Sequence, residues 1–179
     1  MKKLFAFIPL VLFIVMGAFL YKGLSLDPTH LPSARLDQPF PAFSLQALAD
    51  EQRTLSEQDI LGQPALVNVW ATWCPSCKEE HEKLNEIKAM GYTIHGINYK
   101  DDRAKAKEWL QIYQDPYRLN IYDPKGLLGI DLGVYGAPET YVIDAKGVIR
   151  YRHVGVVDDK SWPALKALVD ELQQEVASR

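Results

Sequence analysis

The chain begins with a long stretch of apolar residues. Leu4 to Tyr21 contains eighteen residues without a charge, and lysines lie on both sides of it. A helix of this length would span about 27 Å, close to the thickness of a bilayer core. The stretch is longer than the apolar part of most secretory signals, and Ala18-Phe19-Leu20 is a poor cleavage site. Residues 1–22 are therefore predicted to be an uncleaved signal anchor with one transmembrane helix. A cleaved signal peptide is the alternative.

Charge predicts the direction of this anchor. Lys2 and Lys3 precede the apolar stretch, and positive residues favour the cytoplasmic side of a membrane. The N-terminus is then cytoplasmic, and the chain after Tyr21 lies outside the cytoplasm, whether or not the anchor is cleaved. Residues 23–38, with two prolines and several polar residues, are predicted to be a tether, and residues 39–179 the exported domain.

Short apolar runs alternate with helical patterns in the exported part. Strands show continuous or alternating apolar residues, whereas helices show them three or four positions apart. The predicted strands are Phe40 to Leu45, Ala65 to Trp70, Tyr92 to Tyr99, Asn120 to Tyr122, Thr140 to Ile143 and Val148 to His153, and the predicted helices are Pro75 to Met90, Asp101 or Asp102 to Tyr113 and Ser161 to Val176. The order βαβα followed by ββα predicts an α/β fold, a mixed central sheet with helices on both faces.

Composition narrows the class of protein. The 179 residues are 47% hydrophobic and 24% charged, which suits one packed domain and argues against disorder. Three lysines and no acid lie in the first 22 residues, so the rest has 17 basic and 23 acidic residues and a net charge of −6. This charge disfavours nucleic acid as a partner. Two cysteines are too few for a disulfide scaffold or an all-cysteine zinc site, and no metal or cofactor is expected.

The two cysteines form the segment Trp73-Cys74-Pro75-Ser76-Cys77, where a predicted strand gives way to a helix. Positions i and i+3 at a helix start bring two α-carbons to about 5–6 Å, which a disulfide can bridge. Cys74 precedes the first turn, where free N–H groups and the helix dipole stabilise a thiolate, so its pKa should be low. Cys74 is therefore predicted to attack a partner's disulfide as the nucleophile, and Cys77 to resolve the mixed disulfide. An inert structural disulfide is the alternative.

Glu80 is the candidate proton acceptor for Cys77. At about 100° per residue it lies about 60° from Cys77 and near Leu84 and Ile87, on the helix face expected to pack against the sheet. Burial raises the pKa of a carboxyl group towards neutrality, which suits a group that takes a proton from Cys77. The alternative is a solvated acid favoured by the helix dipole. His81, close to the same face or exposed to solvent, is assigned no role.

A second candidate segment is Gly133-Val134-Tyr135-Gly136-Ala137-Pro138-Glu139-Thr140, which leads into a predicted strand. Pro138 cannot supply a ladder N–H, so it belongs at an edge or turn, and a cis peptide bond fits there. Glu139 has two interpretations. It is either a surface carboxylate at a strand start or a group for partner recognition or proton handling.

Four blocks of the sequence resemble a known family. They are Asn68-Val69-Trp70-Ala71-Thr72-Trp73-Cys74-Pro75, Asn98-Tyr99-Lys100-Asp101-Asp102, Leu132 to Thr140, and Ile149-Arg150-Tyr151-Arg152-His153. The Cys-x-x-Cys segment after a buried strand, with a proline before a later strand, resembles the thioredoxin superfamily. The four blocks in order resemble its membrane-anchored cytochrome c maturation branch, the CcmG or DsbE family.

This resemblance implies a thioredoxin fold and a reductant of the bacterial periplasm, held in the inner membrane by a single helix. The implied partners are apocytochrome c, whose Cys-x-x-Cys-His haem-attachment cysteines it would keep reduced, or another maturation thiol protein acting in between. Electrons would come from a membrane thiol reductant of the DsbD or CcdA type.

The same resemblance implies roles for individual residues. Pro138 would be the cis-proline beside the cysteines, and Glu80 and Glu139 the acidic residues of this branch. The residues that would receive the partner are Trp73, Pro75, Tyr135, Gly136 and Ala137. Asn68 stands six residues before Cys74, where ordinary thioredoxins carry a buried Asp, so proton acceptance would pass to Glu80.

Two other functions stay open from the sequence. A general periplasmic disulfide oxidase or isomerase would need a heavily stabilised thiolate, and the acidic surroundings work against that. A haem or copper chaperone module would need a set of His or Met ligands near the cysteines, which the sequence does not offer.

Overall fold

The computed structural model describes residues 7–24 and 35–178. The chain divides into two units, Met1–Pro32 and Ser33–Arg179, and each is described by itself. The first contains helix α1, Ile8–Leu24, whose apolar side chains from Ile8 to Tyr21 are exposed. In the described ranges, no helix is both long and apolar enough to meet the requirements for crossing a membrane. Residues 1–6 of the predicted anchor and residues 25–34 of the predicted tether lie outside these ranges.

The second unit contains seven strands and four further α-helices among its described residues. In chain order they are β1 (Ser44–Gln46), β2 (Thr54–Ser56), a 3-10 turn (Glu57–Ile60), β3 (Ala65–Trp70), α2 (Pro75–Ala89), β4 (Ile94–Tyr99), α3 (Arg103–Tyr113), β5 (Leu119–Asp123), α4 (Leu127–Leu132), β6 (Glu139–Ile143), β7 (Ile149–Val154) and α5 (Trp162–Ala177). The predicted order of major elements is confirmed.

Five strands form one mixed sheet in the order β5-β4-β3-β6-β7. Strands β3, β4 and β5 are parallel, whereas β6 runs antiparallel to both β3 and β7. Asn68 pairs with Thr140, and Val69 pairs with Glu139. The predicted mixed sheet is confirmed, and its central strands β3 and β4 are buried at every position, as their near-continuous apolar runs indicate.

Alternate residues of β3 point into two hydrophobic cores. Leu66 and Trp70 join the cluster that includes the apolar faces of helices α2 and α5. Val67 and Val69 join the cluster on the opposite face, which includes residues of the β1–β2 hairpin and of helix α4. Since side chains alternate along a strand, Asn68 lies on the same face as Leu66 and Trp70, towards helix α2.

Two elements differ from the prediction. The predicted edge strand Phe40 to Leu45 is a strand only at its end: Ser44–Gln46 pairs with Thr54–Ser56 in a hairpin, and Phe40 packs in the core before it. Helix α4 was not predicted, because six residues are too few to show a helical period. Glycines 126 and 133 bracket it, both with positive φ.

The end of the predicted tether contacts the sheet. Asp37 N–H donates to the carbonyl oxygen of Ile149 at 2.8 Å, and Ile149 N–H donates to the carbonyl of Gln38 at 3.0 Å. Asp37 and Gln38, the last two residues of the predicted tether, therefore belong to the folded unit.

Candidate active site

The two cysteines form a disulfide at the start of helix α2, where the sequence places them. Their α-carbons are 5.3 Å apart. Cys74 is the residue that caps the helix, and its Sγ accepts a hydrogen bond from Cys77 N–H at 3.1 Å. Cys74 is 5% exposed and Cys77 is 1% exposed. Cys74 is thus slightly more exposed than Cys77, and its sulfur already accepts a backbone N–H of the kind that stabilises a thiolate.

The turn before β6 lies against this disulfide. Cys74 Sγ is 3.3 Å from the carbonyl oxygen of Ala137, and the Ala137–Pro138 peptide bond is cis. The two sequence segments singled out above therefore meet in space. They do so because β3, which leads to Cys74, pairs directly with β6, which follows Pro138.

Asp101 holds the loop that carries the cysteines. The backbone N–H and the hydroxyl group of Thr72 each donate to its carboxylate at 2.6 Å. Asn98 Nδ2 donates to the same carboxylate at 2.9 Å. Trp73 Nε1 donates to the carbonyl of Lys100 at 3.0 Å, while 53% of the Trp73 residue stays exposed. The end of β4 therefore anchors the loop on which Trp73 is displayed.

Glu80 is completely buried on helix α2, one turn after Cys77. Its Oε1 accepts from Asn68 Nδ2 at 2.8 Å, and its Oε2 accepts from Val157 N–H at 2.9 Å. Burial raises the pKa of Glu80 to about 7, although these two hydrogen bonds favour the ionised form. The alternative of a solvated first-turn acid is wrong. A buried carboxyl group that titrates near neutrality can exchange a proton at physiological pH.

Glu139 is also completely buried, so the alternative of a surface carboxylate is wrong. Arg152 donates to both of its oxygens, at 2.8 and 2.9 Å, and the Tyr141 hydroxyl donates at 2.9 Å. The backbone N–H groups of Tyr135 and Gly136 donate to Oε1 at 2.8 and 3.4 Å. Five donors thus satisfy this carboxylate, and two of them belong to the turn beside the disulfide.

The residues predicted to receive a partner differ in exposure. Tyr135 is 69% exposed, and the Arg152 guanidinium lies 4.7 Å from the centre of its ring. Pro75 is exposed as well, whereas Gly136 and Ala137 are half-buried. Exposed apolar rings at Trp73 and Tyr135 thus belong to the two segments that contact each other at Cys74.

Comparison with known proteins gives the family. A family model described as Redoxin matches residues 35–169. The thiol:disulfide interchange protein DsbE of Pseudomonas aeruginosa is 52% identical over 176 residues, which cover 96% of this chain and 98% of that protein. The DsbE protein of Escherichia coli K12 is 45% identical over 185 residues, which cover 99% and 100%. The chain belongs to the DsbE family.

A solved structure agrees with the DsbE assignment at the level of the fold. A secreted thiol-disulfide isomerase from Corynebacterium glutamicum aligns with a TM-score of 0.68 at 24% identity, over 82% of this chain and 95% of that one. The mixed sheet flanked by helices is thus a thioredoxin-like fold. With a Cys-x-x-Cys pair at the start of helix α2, this DsbE family member is a thiol–disulfide oxidoreductase.

Sequence reasoning missed two residues of the site. Arg152 was noted only within a block of the resemblance, yet it pairs with Glu139, 13 positions away. Tyr117 was not singled out, yet its buried hydroxyl donates to Asn68 Oδ1 at 2.8 Å, 49 positions away. An arginine inside a strand and a tyrosine in the loop between α3 and β5 carry no local signal of these contacts. The DsbE resemblance offers no hint beyond marking the block around Arg152.

His81 lies on the buried face of helix α2 with Cys77 and Glu80, so the predicted placement near the cysteine face is confirmed and the solvent-exposed alternative is wrong. It is buried, with Nε2 2.7 Å from the carbonyl of Gln114 and its ring edge against Trp109 at 4.3 Å. Burial lowers the pKa of His81. Within residues 7–24 and 35–178, no three or more His, Cys, Asp or Glu side chains are grouped to hold a metal ion.

Proposed function

We propose that this DsbE family member is a membrane-anchored periplasmic reductant in c-type cytochrome biogenesis. It keeps the haem-binding cysteines of apocytochrome c, or the disulfide of a maturation partner, in the thiol form. The observation that carries the proposal is the position of Glu80: a buried carboxyl group with a pKa of about 7 lies one helical turn after the resolving cysteine. This arrangement provides for rapid release of a reduced partner.

The reaction starts from the dithiol form. The Cys74 thiolate, stabilised by Cys77 N–H and the start of helix α2, attacks one sulfur of the partner's disulfide. A bond forms between Cys74 Sγ and that sulfur, and the partner's disulfide bond breaks. The other partner sulfur leaves as a thiolate and takes up a proton from water.

The second step releases the partner. Cys77 gives its proton to the ionised carboxylate of Glu80 and attacks Cys74 Sγ. The mixed disulfide breaks, the partner's second sulfur leaves as a thiolate, and the Cys74–Cys77 disulfide forms. Two electrons have passed from this protein to the partner. Glu80 then returns its proton to solvent or to the departing thiolate.

The partner docks on the exposed side of the disulfide in this proposal. Trp73, Pro75 and Tyr135 supply exposed apolar surface, and the backbone of Gly136 and Ala137 offers N–H and carbonyl groups to an extended peptide. A Cys-x-x-Cys-His segment in an unfolded apocytochrome could lie along this turn with a sulfur against Cys74.

The anchor and the source of electrons complete the proposal. Residues 1–22 hold the domain on the periplasmic face of the inner membrane, with the N-terminus in the cytoplasm. A membrane thiol protein of the DsbD or CcdA type then reduces the Cys74–Cys77 disulfide by the same exchange in reverse. Alkaline extraction of membranes tests the anchor, since an anchored chain stays in the pellet and a cleaved one is released.

Trapping identifies the partner. The Cys77→Ser variant should accumulate a covalent adduct through Cys74, because the resolving thiol is missing, and mass spectrometry of the adduct names the protein. The matched control is Cys74→Ser, which leaves only the buried Cys77 and should trap little. The proposal fails if the adducts contain neither apocytochrome c nor a maturation thiol protein.

A second experiment separates this function from a general oxidase. Cells with the Cys74→Ser protein should lose holocytochrome c, while disulfides in other periplasmic proteins form normally. A measured reduction potential near the oxidising end of the range for this fold would support the oxidase instead.

A further inference from the structure

A buried cluster of polar groups links Glu80 to a tyrosine outside the helix. Asn68 is fully buried at its centre. Asn68 Nδ2 donates to Glu80 Oε1 at 2.8 Å and to Thr140 Oγ1 at 3.0 Å. On the other side of the amide, the Tyr117 hydroxyl donates to Asn68 Oδ1 at 2.8 Å. Every hydrogen-bonding atom of this amide therefore has a partner among the described residues.

The direction of the Asn68 amide decides whether a hydrogen-bond donor or an acceptor faces the Glu80 carboxyl group. An ionised carboxylate can only accept hydrogen bonds, so it needs the NH2 group of Asn68 on its side. A protonated carboxyl group can donate, and it would be satisfied by Oδ1 if the amide were turned over. In the observed direction, Oδ1 faces away from Glu80 and needs a donor of its own, which the Tyr117 hydroxyl provides.

We propose that Tyr117 is a positioning residue, whose hydroxyl group fixes the Asn68 amide with its NH2 towards Glu80 and so keeps that carboxylate ready to accept a proton. Without this donor, either direction of the amide leaves one of its groups unpaired, so the preference for the observed direction is lost. In the turned-over direction, Thr140 and a protonated Glu80 can both donate to Oδ1, which favours the protonated form of Glu80. The effect of Tyr117 on the titration of Glu80 is independent of the proposed function. Its effect on catalysis rests on the proposed proton transfer from Cys77 to Glu80.

The surroundings of Tyr117 make its hydroxyl a constant donor. Burial raises the pKa of Tyr117 well above its usual value, so the group stays protonated throughout the working pH range. Its ring stacks on Trp70, with centroids 5.6 Å apart, and this packing does not involve the oxygen. The Tyr117→Phe variant therefore removes the donor and leaves the ring in place.

The charged and titratable neighbours of the cluster are few. Cys77 and the buried His81 lie on the same helix as Glu80, and Asp115 acts on Tyr117 from the loop that contains both residues. Strands β3 and β6 contribute the uncharged side chains of Asn68 and Thr140, and the chain after β7 contributes the N–H of Val157. In the disulfide form Cys77 does not titrate, so Glu80 can be followed without it.

The test is a titration of Glu80 in the oxidised full-length protein. The carbonyl stretch of the protonated carboxyl is followed by infrared difference spectroscopy, and the band is assigned by its loss in Glu80→Gln. In Tyr117→Phe the midpoint should rise by about one pH unit. Tyr92→Phe is the remote control, because it removes a hydroxyl that bonds Asp170 instead. Thr140→Val is the control within the cluster, because it removes an acceptor of the NH2 group, and its midpoint should not rise.

Each outcome of the titration either supports or overturns the proposed role of Tyr117. An unchanged midpoint in Tyr117→Phe, or an equal rise in Thr140→Val, overturns the proposal. If Tyr117→Phe proves poorly folded, Asn68→Leu tests the link through which Tyr117 acts: removal of the amide should raise the Glu80 midpoint by at least about one pH unit, and an unchanged or lower midpoint than in the parent overturns the proposal. A raised midpoint with an unchanged pH profile of thiol exchange would support the positioning of Asn68 and refute Glu80 as proton acceptor.

Discussion

Glu139 and Arg152 form a two-point ion pair between neighbouring strands, with the guanidinium on both carboxylate oxygens at 2.8 and 2.9 Å. The two side chains are 0% and 4% exposed. The same carboxylate accepts the N–H groups of Tyr135 and Gly136. One buried pair therefore connects strand β7 to the turn that lies against Cys74.

Arg152→Met should destabilise the protein strongly, because it leaves a buried carboxylate without its cation. Loss of one partner of a buried pair costs about 3–5 kcal/mol. Chemical denaturation of the oxidised protein measures the change in the free energy of unfolding. The control is Arg150→Met on the same strand, whose partners Asp37 and Asp144 are both 3.7 Å away and whose side chain is far more exposed. Its cost should stay below about 1 kcal/mol, and equal costs for the two variants would contradict the prediction.

Glu80→Gln should slow the resolution of mixed disulfides and leave their formation intact. In the parent, the ionised fraction of Glu80 grows as pH rises through about 7, so the resolution rate should rise there as well. A glutamine cannot accept a proton, and the rise near pH 7 should disappear. Stopped-flow kinetics that starts from a mixed disulfide on Cys74 measures the resolution step. The control is Glu79→Gln, which replaces an exposed carboxylate of the same helix. A variant with the pH profile of the parent would show that another group takes the proton.

Glu80 should also make stability depend on pH. Its pKa is about 7 in the folded protein and near 4.5 in the unfolded chain, so between these values the folded state holds the extra proton. The free energy of unfolding should therefore fall as pH rises from 5 to 8, by about 3 kcal/mol relative to Glu80→Gln.

The comparison with Glu80→Gln removes the opposite contribution of His95. Burial lowers the pKa of His95 to about 4, so the unfolded chain binds the extra proton between pH 4 and 6.5 and stability rises with pH there. Denaturation curves of both proteins at a series of pH values give the difference. If the free energies of unfolding of the two proteins, plotted against pH, run parallel, the raised pKa of Glu80 is contradicted.

Asp101→Ala should loosen the loop that carries Trp73 and Cys74. The variant leaves the N–H of Thr72 without its acceptor, at a cost of about 1–3 kcal/mol. Hydrogen exchange at the Thr72 amide should accelerate more than the loss in global stability explains. The control is Asp131→Ala, which replaces an exposed residue of helix α4. It should change the free energy of unfolding by no more than about 0.5 kcal/mol and leave the Thr72 amide protected from exchange.

Local patterns predicted the centre of this molecule well. Strand β3, the Cys-x-x-Cys helix and the burial of Glu80 follow from apolar periodicity and helix geometry, which involve neighbours within a few residues. The β1–β2 hairpin was predicted as a single edge strand because its strands have only three residues each, and helix α4 was too short to show a period. Short elements depend on tertiary packing rather than on their own pattern.

Local sequence patterns could not predict the long-range contacts of the site. Whether Glu139 lies on the surface or in the core depends on Arg152 across the sheet, and the direction of the Asn68 amide depends on Tyr117. Both partners come from other strands or loops, and no spacing rule connects them. The family resemblance marked Glu139 for attention but did not supply its cation.

The pairing of Asn68 with Thr140 and of Val69 with Glu139 makes the distance between sulfur and proline independent of how much chain lies between them. Sixty-three positions separate Cys74 from Ala137, and strands β4 and β5, which lie in that interval, extend the sheet on the side of β3 away from β6. Loops in the interval can lengthen without moving the reacting atoms. A slip of β6 by a single position would instead turn Glu139 to the wrong side of the sheet. Backbone ladder bonds, rather than the length of the connecting chain, keep the chemistry assembled.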